Sequence, residues 1–192
     1  GGFRMVAEAL IHRFDIATYH RLISEGILRE DDRVELIDGR LVDMTPIGSR
    51  HAAVVNRLNN LLTRKVQGLA IVSVQNPVQL IQEQSEPEPD ITLLKFREDF
   101  YSSDLPKGED VLLVIEVADT SLDYDKDTKI NMYAQAKIQE VWIVNLLENC
   151  IEVYSSPSSS GYECRRTVRE GQSVSPKEFS DVSLTANQIL GI

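Results

Sequence analysis

Apolar residues recur at helical spacing in several stretches of the chain. In the first stretch, Asp15 is positioned as an N-cap and Gly26 as a C-terminal glycine, which predicts a short helix. A longer helix is predicted over residues 49–66, with Ser49 as its cap. The apolar faces of these two helices comprise Ile16, Tyr19, Leu22 and Ile23, and Val54, Val55, Leu58, Leu61 and Leu62. Residues 127–136 and 184–190 are predicted as two further helices.

Alternation of apolar and polar residues predicts the strands. Residues 33–44 form two alternating runs on either side of Asp38-Gly39, a dipeptide typical of a two-residue hairpin turn. Residues 111–117 are almost continuously apolar and rich in β-branched side chains, as expected for a central strand buried on both faces. Further strands are predicted over residues 71–75, 78–81, 90–94, 140–146 and 151–154, the last two forming a hairpin. Residues 155–161, rich in serine, are expected to form a surface loop.

This order of helices and strands predicts a mixed α/β domain, a β-sheet flanked by helices. We expect the domain to span residues 14–192 and residues 1–13 to form an N-terminal extension. A chain of 192 residues, 42% hydrophobic and 26% charged, suits one globular domain. We expect neither a membrane span nor a secretory signal, since the apolar runs are far shorter than the roughly 20 residues of a span. Two cysteines, Cys150 and Cys164, favour a reducing, cytoplasmic setting.

The formal net charge of −10 restricts the partners of the protein. A protein that binds nucleic acid over its whole surface is expected to be basic. This chain could therefore hold nucleic acid only through a local basic patch, a divalent cation or another protein. The alternative is that it binds no nucleic acid.

Glu116 is the most unusual residue in the pattern, because it interrupts the apolar sequence Val-Leu-Leu-Val-Ile-Glu-Val. Either the strand ends there and the carboxylate faces water, or a cation compensates a partly buried charge. Asp90 lies at the start of another predicted strand, after Pro87 and Pro89. Two carboxylates at the ends of adjacent strands can converge on Mg²⁺, which prefers oxygen ligands and retains several waters. Asp90 and Glu116 are therefore candidate metal ligands.

Other polar residues are weaker candidates when each is taken alone. Glu35 could supply a third acid, but alternation in the first hairpin favours a solvent-facing side chain, with Val34 and Leu36 inward. Lys129 could orient a water or stabilise charge on a phosphate, although a solvated helix lysine is the more common case. Lys126 lies one turn earlier and is its competitor. His51 and Gln75 are secondary candidates, Trp142 and Tyr133 are expected in the core, and Asp119, Ser121, Asp123 and Asp125 are expected to cap the helix.

At these residues the chain resembles the Uma2 family, also known as domain of unknown function 820. That family is placed among the PD-(D/E)xK, restriction-endonuclease-like proteins, and the likeness extends from about residue 14 to residue 190. Its markers are Arg33-Val-Glu-Leu-Ile-Asp-Gly, Pro89-Asp90-Ile, Glu116-Val-Ala-Asp-Thr-Ser-Leu-Asp-Tyr-Asp, Lys129, Tyr133 and Glu140-Val-Trp-Ile-Val. Their joint occurrence in this order is specific for the family and much less specific for an activity.

The resemblance implies a restriction-endonuclease-like core, a mixed β-sheet flanked by helices, with Asp90 and Glu116 as metal ligands. Glu35 matches an early glutamate of the motif, which makes it a third candidate ligand and a member of the catalytic set. The usual motif has a lysine two residues after the second acid, where this chain has Ala118. Lys129, on the helix that comes next, occupies the place of that lysine.

The activity implied by the resemblance is metal-dependent hydrolysis of phosphodiester bonds in nucleic acid, with DNA as the first expectation. Mg²⁺ is the expected cofactor and Mn²⁺ a second possibility, and a homodimer would provide two equivalent sites for two strands. A catalytically inactive nuclease-fold module with a binding or regulatory role is the alternative, which the acidic charge and Ala118 favour. A different metal hydrolase using the same acids is a third hypothesis.

Overall fold

The computed structural model of the protein describes residues 12–119 and 122–192, without the side chains of Glu30 and of residues 122–126. In chain order, the elements are α1 (Ile16–Ser24), β1 (Val34–Ile37), β2 (Arg40–Asp43), α2 (Ser49–Lys65), β3 (Ala70–Val74), β4 (Ile91–Lys95), β5 (Val111–Ala118), α3 (Leu122–Gln135), β6 (Glu140–Asn145), β7 (Cys150–Ser158), β8 (Gly161–Val168), β9 (Ser173–Val174), β10 (Leu184–Thr185) and α4 (Ala186–Leu190). Within the described residues, no helix is long and apolar enough to cross a membrane.

The central feature is a six-stranded mixed sheet in the order β3-β4-β5-β6-β7-β8. Strands β5 and β6 are parallel, while the other neighbouring pairs are antiparallel. Parallel neighbours need a crossover connection, and α3 supplies it. The prediction of a central strand at residues 111–117 is confirmed, because β5 is paired on both sides. The predicted α/β class, a mixed sheet flanked by helices, is also confirmed.

Alternating side chains of the sheet enter two separate cores. On one face, Ile115 and Trp142 pack with Leu58 of α2 and with Ile189 of α4. On the other face, a second cluster joins strands β5 and β6 to α3 through Val114, Ile143, Ile130, Met132 and Tyr133. Glu116 lies two residues after Val114 on β5, so both side chains point to the same face of the sheet. This is the face that α3 covers.

The hairpin β1–β2 has the predicted turn, with Ile37 paired to Arg40 across Asp38 and Gly39. Both turn residues have positive φ angles, 50° and 68°, the backbone that a two-residue turn between twisted strands requires. The hairpin lies against the long segment before β4, where Leu36 forms a bridge with Glu86. This contact fixes the first hairpin beside the start of β4.

One strand prediction and one loop prediction were wrong. Residues 78–81 form no strand, although Val78 and Leu80 are buried, because their backbone makes only isolated bridges. Residues 155–161 are not a loop: β7 continues through Ser158, and β8 begins at Gly161 and pairs back along it. Strand formation depends on a distant pairing partner, which local composition does not reveal.

The ends of several helices also differ from the predictions. Asp15 caps α1 as expected, but Gly48 rather than Ser49 is the N-cap of α2. Helix α3 begins five residues earlier than predicted, at Leu122, and residues 184–185 are a short strand before α4. Of the predicted face of α1 only Tyr19 is buried. Shifts of one or two residues are typical at helix ends, and the five-residue extension of α3 is larger than that.

Candidate active site

Strand pairing brings Asp90 and Glu116 together. Asp90 immediately precedes β4, and the antiparallel register pairs Ile91 with Ile115. Continued by one residue, this register sets Asp90 opposite Glu116, and directly opposed residues point to the same face. The backbone N–H of Val117 donates to Oδ2 of Asp90 at 2.8 Å, which ties the two strands together at the acids.

Asp90 is held by side chains from two other elements. Nε2 of Gln75 donates to its Oδ1 at 3.2 Å, and Nε2 of His51 on α2 lies 3.0 Å from its Oδ2. The hydrogen bond to Asp90 is the main cause of a raised pKa of His51, which burial opposes. The ring's Nδ1 is buried and has no hydrogen-bond partner among the described residues. Both secondary candidates from the sequence thus contact the first acid.

Glu116 is a largely buried carboxylate inside a strand. Its side chain is 14% exposed, and the strand continues for two residues beyond it. Burial raises the pKa of Glu116 to about 6; the Lys129 charge opposes this shift, while the charges of Asp90 and Glu35 add to it. The sequence left open a strand end or a compensating cation. The structure has the cation, in the form of a lysine ammonium.

Lys129 connects two of the predicted acids. Its Nζ lies 2.8 Å from Oε1 of Glu35 and 3.3 Å from Oε1 of Glu116. Burial lowers the pKa of Lys129, but the charges of Glu116 and Glu35 outweigh burial and raise it above its ordinary value. Lys129 therefore remains an ammonium ion. The side chain of its competitor, Lys126, is outside the described part of the chain, as are the predicted caps Ser121, Asp123 and Asp125.

The expectation of a solvent-facing Glu35 was wrong, because this residue is only 3% exposed. The hairpin face that carries it is covered by the segment before β4, whose Glu88 N–H donates to Oε2 of Glu35 at 3.1 Å. An alternating strand predicts only that neighbouring side chains point to opposite faces. Which face is covered depends on the rest of the fold.

Tyr133 has a second role that the sequence did not suggest. It is buried in the core as expected, but its hydroxyl donates to Oε1 of Glu116 at 2.7 Å. Lys129 and Tyr133 are four residues apart on α3 and so lie on the same side of the helix. That spacing of two polar-tipped side chains, one turn apart, was the available signal. Trp142 is a buried core residue, as predicted.

All four predicted site residues line one cavity of about 270 Å³. Among the described residues, six carboxylates and two permanently charged cations face this cavity, together with His51. The acids are Glu35, Asp43, Glu88, Asp90, Glu116 and Asp119, and the cations are Arg33 and Lys129. A cavity with this excess of negative charge disfavours an anion that arrives without a counterion.

The donor set limits which metal ion this cavity could hold. Among the residues that the structure describes, no group of three or more histidine, cysteine, aspartate or glutamate side chains is arranged to hold a metal. Asp90 and Glu116 are a pair of oxygen donors on one face, open to one cavity. A pair fits Mg²⁺, which commonly uses one or two carboxylates and keeps several waters. It does not fit an ion that requires a complete protein cage.

The mixed sheet between helices, with opposed acids on two central strands, defines a restriction-endonuclease-like fold. A family model described as Uma2, "Putative restriction endonuclease", matches residues 16–187. The chain belongs to the Uma2 family.

A solved structure has the same fold. It is described as a "putative nuclease belonging to DUF820" from Anabaena variabilis, and it is similar to this chain with a TM-score of 0.69 and 16% sequence identity. The match covers 88% of this chain and 95% of the other. No curated protein matches the chain.

Proposed function

We propose that the protein is a metal-dependent nuclease that hydrolyses phosphodiester bonds in DNA, with Asp90 and Glu116 as its metal ligands. The family's description and that of the similar solved structure support a nuclease in general. The contact that carries the proposal is the one between Lys129 and Glu116, because it brings the lysine of the next helix to the second acid, 3.3 Å away. A largely buried ammonium that contacts two carboxylates, those of Glu35 and Glu116, is a costly arrangement that packing alone does not require.

Each residue of the site has a defined task in this proposal. Asp90 is oriented by hydrogen bonds with Gln75, His51 and the backbone N–H of Val117. Glu116 is oriented by Lys129 and Tyr133. Lys129 offers a fixed positive charge that can orient a water or stabilise the charge that develops on the phosphate.

Glu35 orients Lys129 from its other side and, in addition, stays a predicted third metal ligand. A bound Mg²⁺ or Mn²⁺ would supply Lewis-acid polarisation of the phosphate and would lower the pKa of a water. It would also offset the negative charge of the cavity, which otherwise repels the substrate.

The test combines Mg²⁺ binding by calorimetry with cleavage of labelled DNA. Asp90→Asn and Glu116→Gln should each lower the cleavage rate by about a thousandfold, because removing a metal ligand costs several kcal/mol of transition-state stabilisation. Both variants should also bind Mg²⁺ more weakly. Glu170→Gln, a change at an exposed glutamate outside the cavity, is the control and should match the wild type.

Cleavage that persists in both site variants would contradict the proposal. The wild type could instead fold normally and cleave no nucleic acid at any Mg²⁺ or Mn²⁺ concentration. That result would favour the inactive binding module. Mg²⁺ binding without cleavage would retain the metal site and reject the nuclease.

A further inference from the structure

The cavity that holds the acids has a second, apolar wall. This apolar wall consists of Met44, Pro46 and Ile47, which all belong to the connection between β2 and α2. Ile47 is 38% exposed, so the wall is open to solvent and is not part of either core. Exposed apolar groups that face a polar cavity are typical of ligand sites.

The apolar wall is attached to the fold close to the acids. The backbone N–H of Met44 donates to the carbonyl of Arg33 at 2.8 Å, next to the strand that carries Glu35. At its other end the connection runs into Gly48, the N-cap of α2, and His51 lies within the first turn of that helix. The wall is thus anchored between two elements whose side chains reach the acids.

The side chains around the cavity offer few positive charges to hold a substrate by its phosphates. Of the two permanently charged cations among the described lining residues, Lys129 is already paired with Glu35 and Glu116. The second of these cations is Arg33, which is exposed and lies outside the group formed by Lys129, Glu35 and Glu116. Proteins that track duplex DNA typically neutralise several phosphates, about six to ten. Apolar contact with a base must therefore provide much of the binding.

The size of the cavity is consistent with a single nucleotide. Its volume of about 270 Å³ lies just below the range of pockets for drug-sized molecules, so the cavity has room for one small unit of a polymer. The faces of bases within a duplex are covered by their stacked neighbours and cannot contact a protein wall. Only an unpaired nucleotide can present its base to the apolar wall while its phosphate reaches the acids that line the same cavity.

We propose that the substrate of this site is single-stranded or locally unpaired nucleic acid, with one base held against the apolar wall of Met44, Pro46 and Ile47. The position of the phosphate rests on the proposed nuclease function, whereas the contact between base and wall does not. Base contact provides affinity that depends little on salt, which suits a chain with a net charge of −10.

The first test measures binding without cleavage. The Glu116→Gln variant in Mg²⁺ is titrated with a short labelled single strand, with the same sequence as a duplex, and with a single strand that lacks its central bases. We expect the single strand to bind about tenfold more tightly than either of the other two probes, because only its base buries apolar area of the wall. Equal or tighter binding of the duplex, equal binding of the base-free strand, or binding of none of the three overturns the proposal.

The second test changes the wall itself. Ile47→Ser, made in the same Glu116→Gln background, should weaken binding of the single strand by about fivefold, because apolar contact area is lost, and should leave binding of the base-free strand unchanged. Ile27→Ser is the matched control, since Ile27 is 66% exposed and lies outside the cavity. Equal binding by the two serine variants overturns the proposal.

The two proposals fail separately. A protein that cleaves nothing but binds the single strand through Ile47 retains the base contact and loses the nuclease. A protein that cleaves duplex and single strand equally, with Ile47→Ser as active as wild type, retains the nuclease and loses the base contact.

Discussion

Glu116 is tolerated in an apolar strand because two neighbouring groups stabilise its charge. Lys129 supplies the opposite charge and Tyr133 donates a hydrogen bond, whereas Asp90, just before the adjacent strand, repels it. Burying an ionised carboxylate without such partners would cost several kcal/mol. The sequence indicated that a compensating cation was one of two explanations. The sequence did not indicate that Tyr133, on the same helix as Lys129, would donate to the same oxygen of Glu116, Oε1.

Tyr133→Phe tests whether that hydroxyl matters for the site. Removing one donor from a buried carboxylate should lower the free energy of unfolding by about 1 kcal/mol. It should also lower kcat for cleavage by about tenfold with little change in KM, because a residue that positions a metal ligand acts through that ligand. Urea unfolding and steady-state cleavage are the two measurements.

Tyr162→Phe is the matched control for this change. Tyr162 is a partly buried tyrosine outside the cavity, and its hydroxyl donates to the carbonyl of Ile138 at 2.7 Å. It should cost similar stability and leave cleavage unchanged. A similar effect of the two variants on cleavage would show that Tyr133 acts only through stability.

At the scale of elements, the first hairpin places Glu35 in the site. Its turn was predicted because Asp-Gly tolerates the positive φ angles that a two-residue turn demands. The structure adds a second constraint at Gly39. A Cβ there would lie 2.7 Å from Cβ of Arg13 and 3.0 Å from the carbonyl oxygen of Phe14, besides the φ of 68°. The glycine is therefore needed both for the turn and for the close approach of the chain before α1.

Gly39→Ala should lower the free energy of unfolding by about 3 kcal/mol, because strain at a positive φ adds to the steric clash. Gly68→Ala is the control, since Gly68 has a similar φ of 76° but open space around it, and it should cost about 1 kcal/mol. Denaturant titration of both variants measures the difference. Equal losses would mean that the chain before α1 moves away without cost.

Pairing between distant elements explains where the element predictions succeeded and failed. Helices α1 and α2, the hairpin β1–β2 and the strand β5 are visible in local pattern, because their periodicity and turn residues are local properties. The extension of β7 past Pro157 is not, since its partner β8 provides the evidence for a strand. The wrong strand prediction at residues 78–81 has the same cause, because this segment has an alternating pattern but makes only isolated bridges.

At the scale of the whole molecule, buried acids make stability depend on pH. Glu140 is buried on the face opposite the site, where it accepts hydrogen bonds from Nε1 of Trp142 and from the backbone N–H of Lys177. Burial raises the pKa of Glu140 above its ordinary value of 4.5, and these two hydrogen bonds only partly offset that effect. The folded protein therefore binds this proton more tightly than the unfolded chain does. Its contribution to stability falls as the pH rises through and above 4.5.

Glu140→Gln should remove this dependence. Between about pH 4 and about pH 7, the stability of the wild type relative to the variant should decrease, because only the wild type must ionise a buried carboxyl. Urea unfolding across this range measures the difference, with Glu148→Gln, a change at an exposed glutamate, as the control. A difference that is constant with pH, or that grows as the pH rises, would contradict the raised pKa.

The prediction of a homodimer, the cytoplasmic location and the extension at residues 1–13 stay predictions. The net negative charge of the chain is known from composition alone, but its meaning for substrate binding depends on where the acids lie. Composition says how many acids there are, whereas only the fold says that six of those in the described residues face one cavity with an apolar wall.

The sequence by itself determined the α/β class, the central strand and the first turn, and it singled out Asp90 and Glu116 as candidate metal ligands, because each of these depends on local pattern or on a recognisable motif. For Glu116, the sequence left two explanations open, a strand end or a compensating cation. The tertiary structure decided between them by bringing Lys129 and Tyr133 to that carboxylate and Glu35 to Lys129. Such decisions depend on contacts between residues far apart in the chain, and on which face of each element is covered, and neither is a property of any local stretch of sequence.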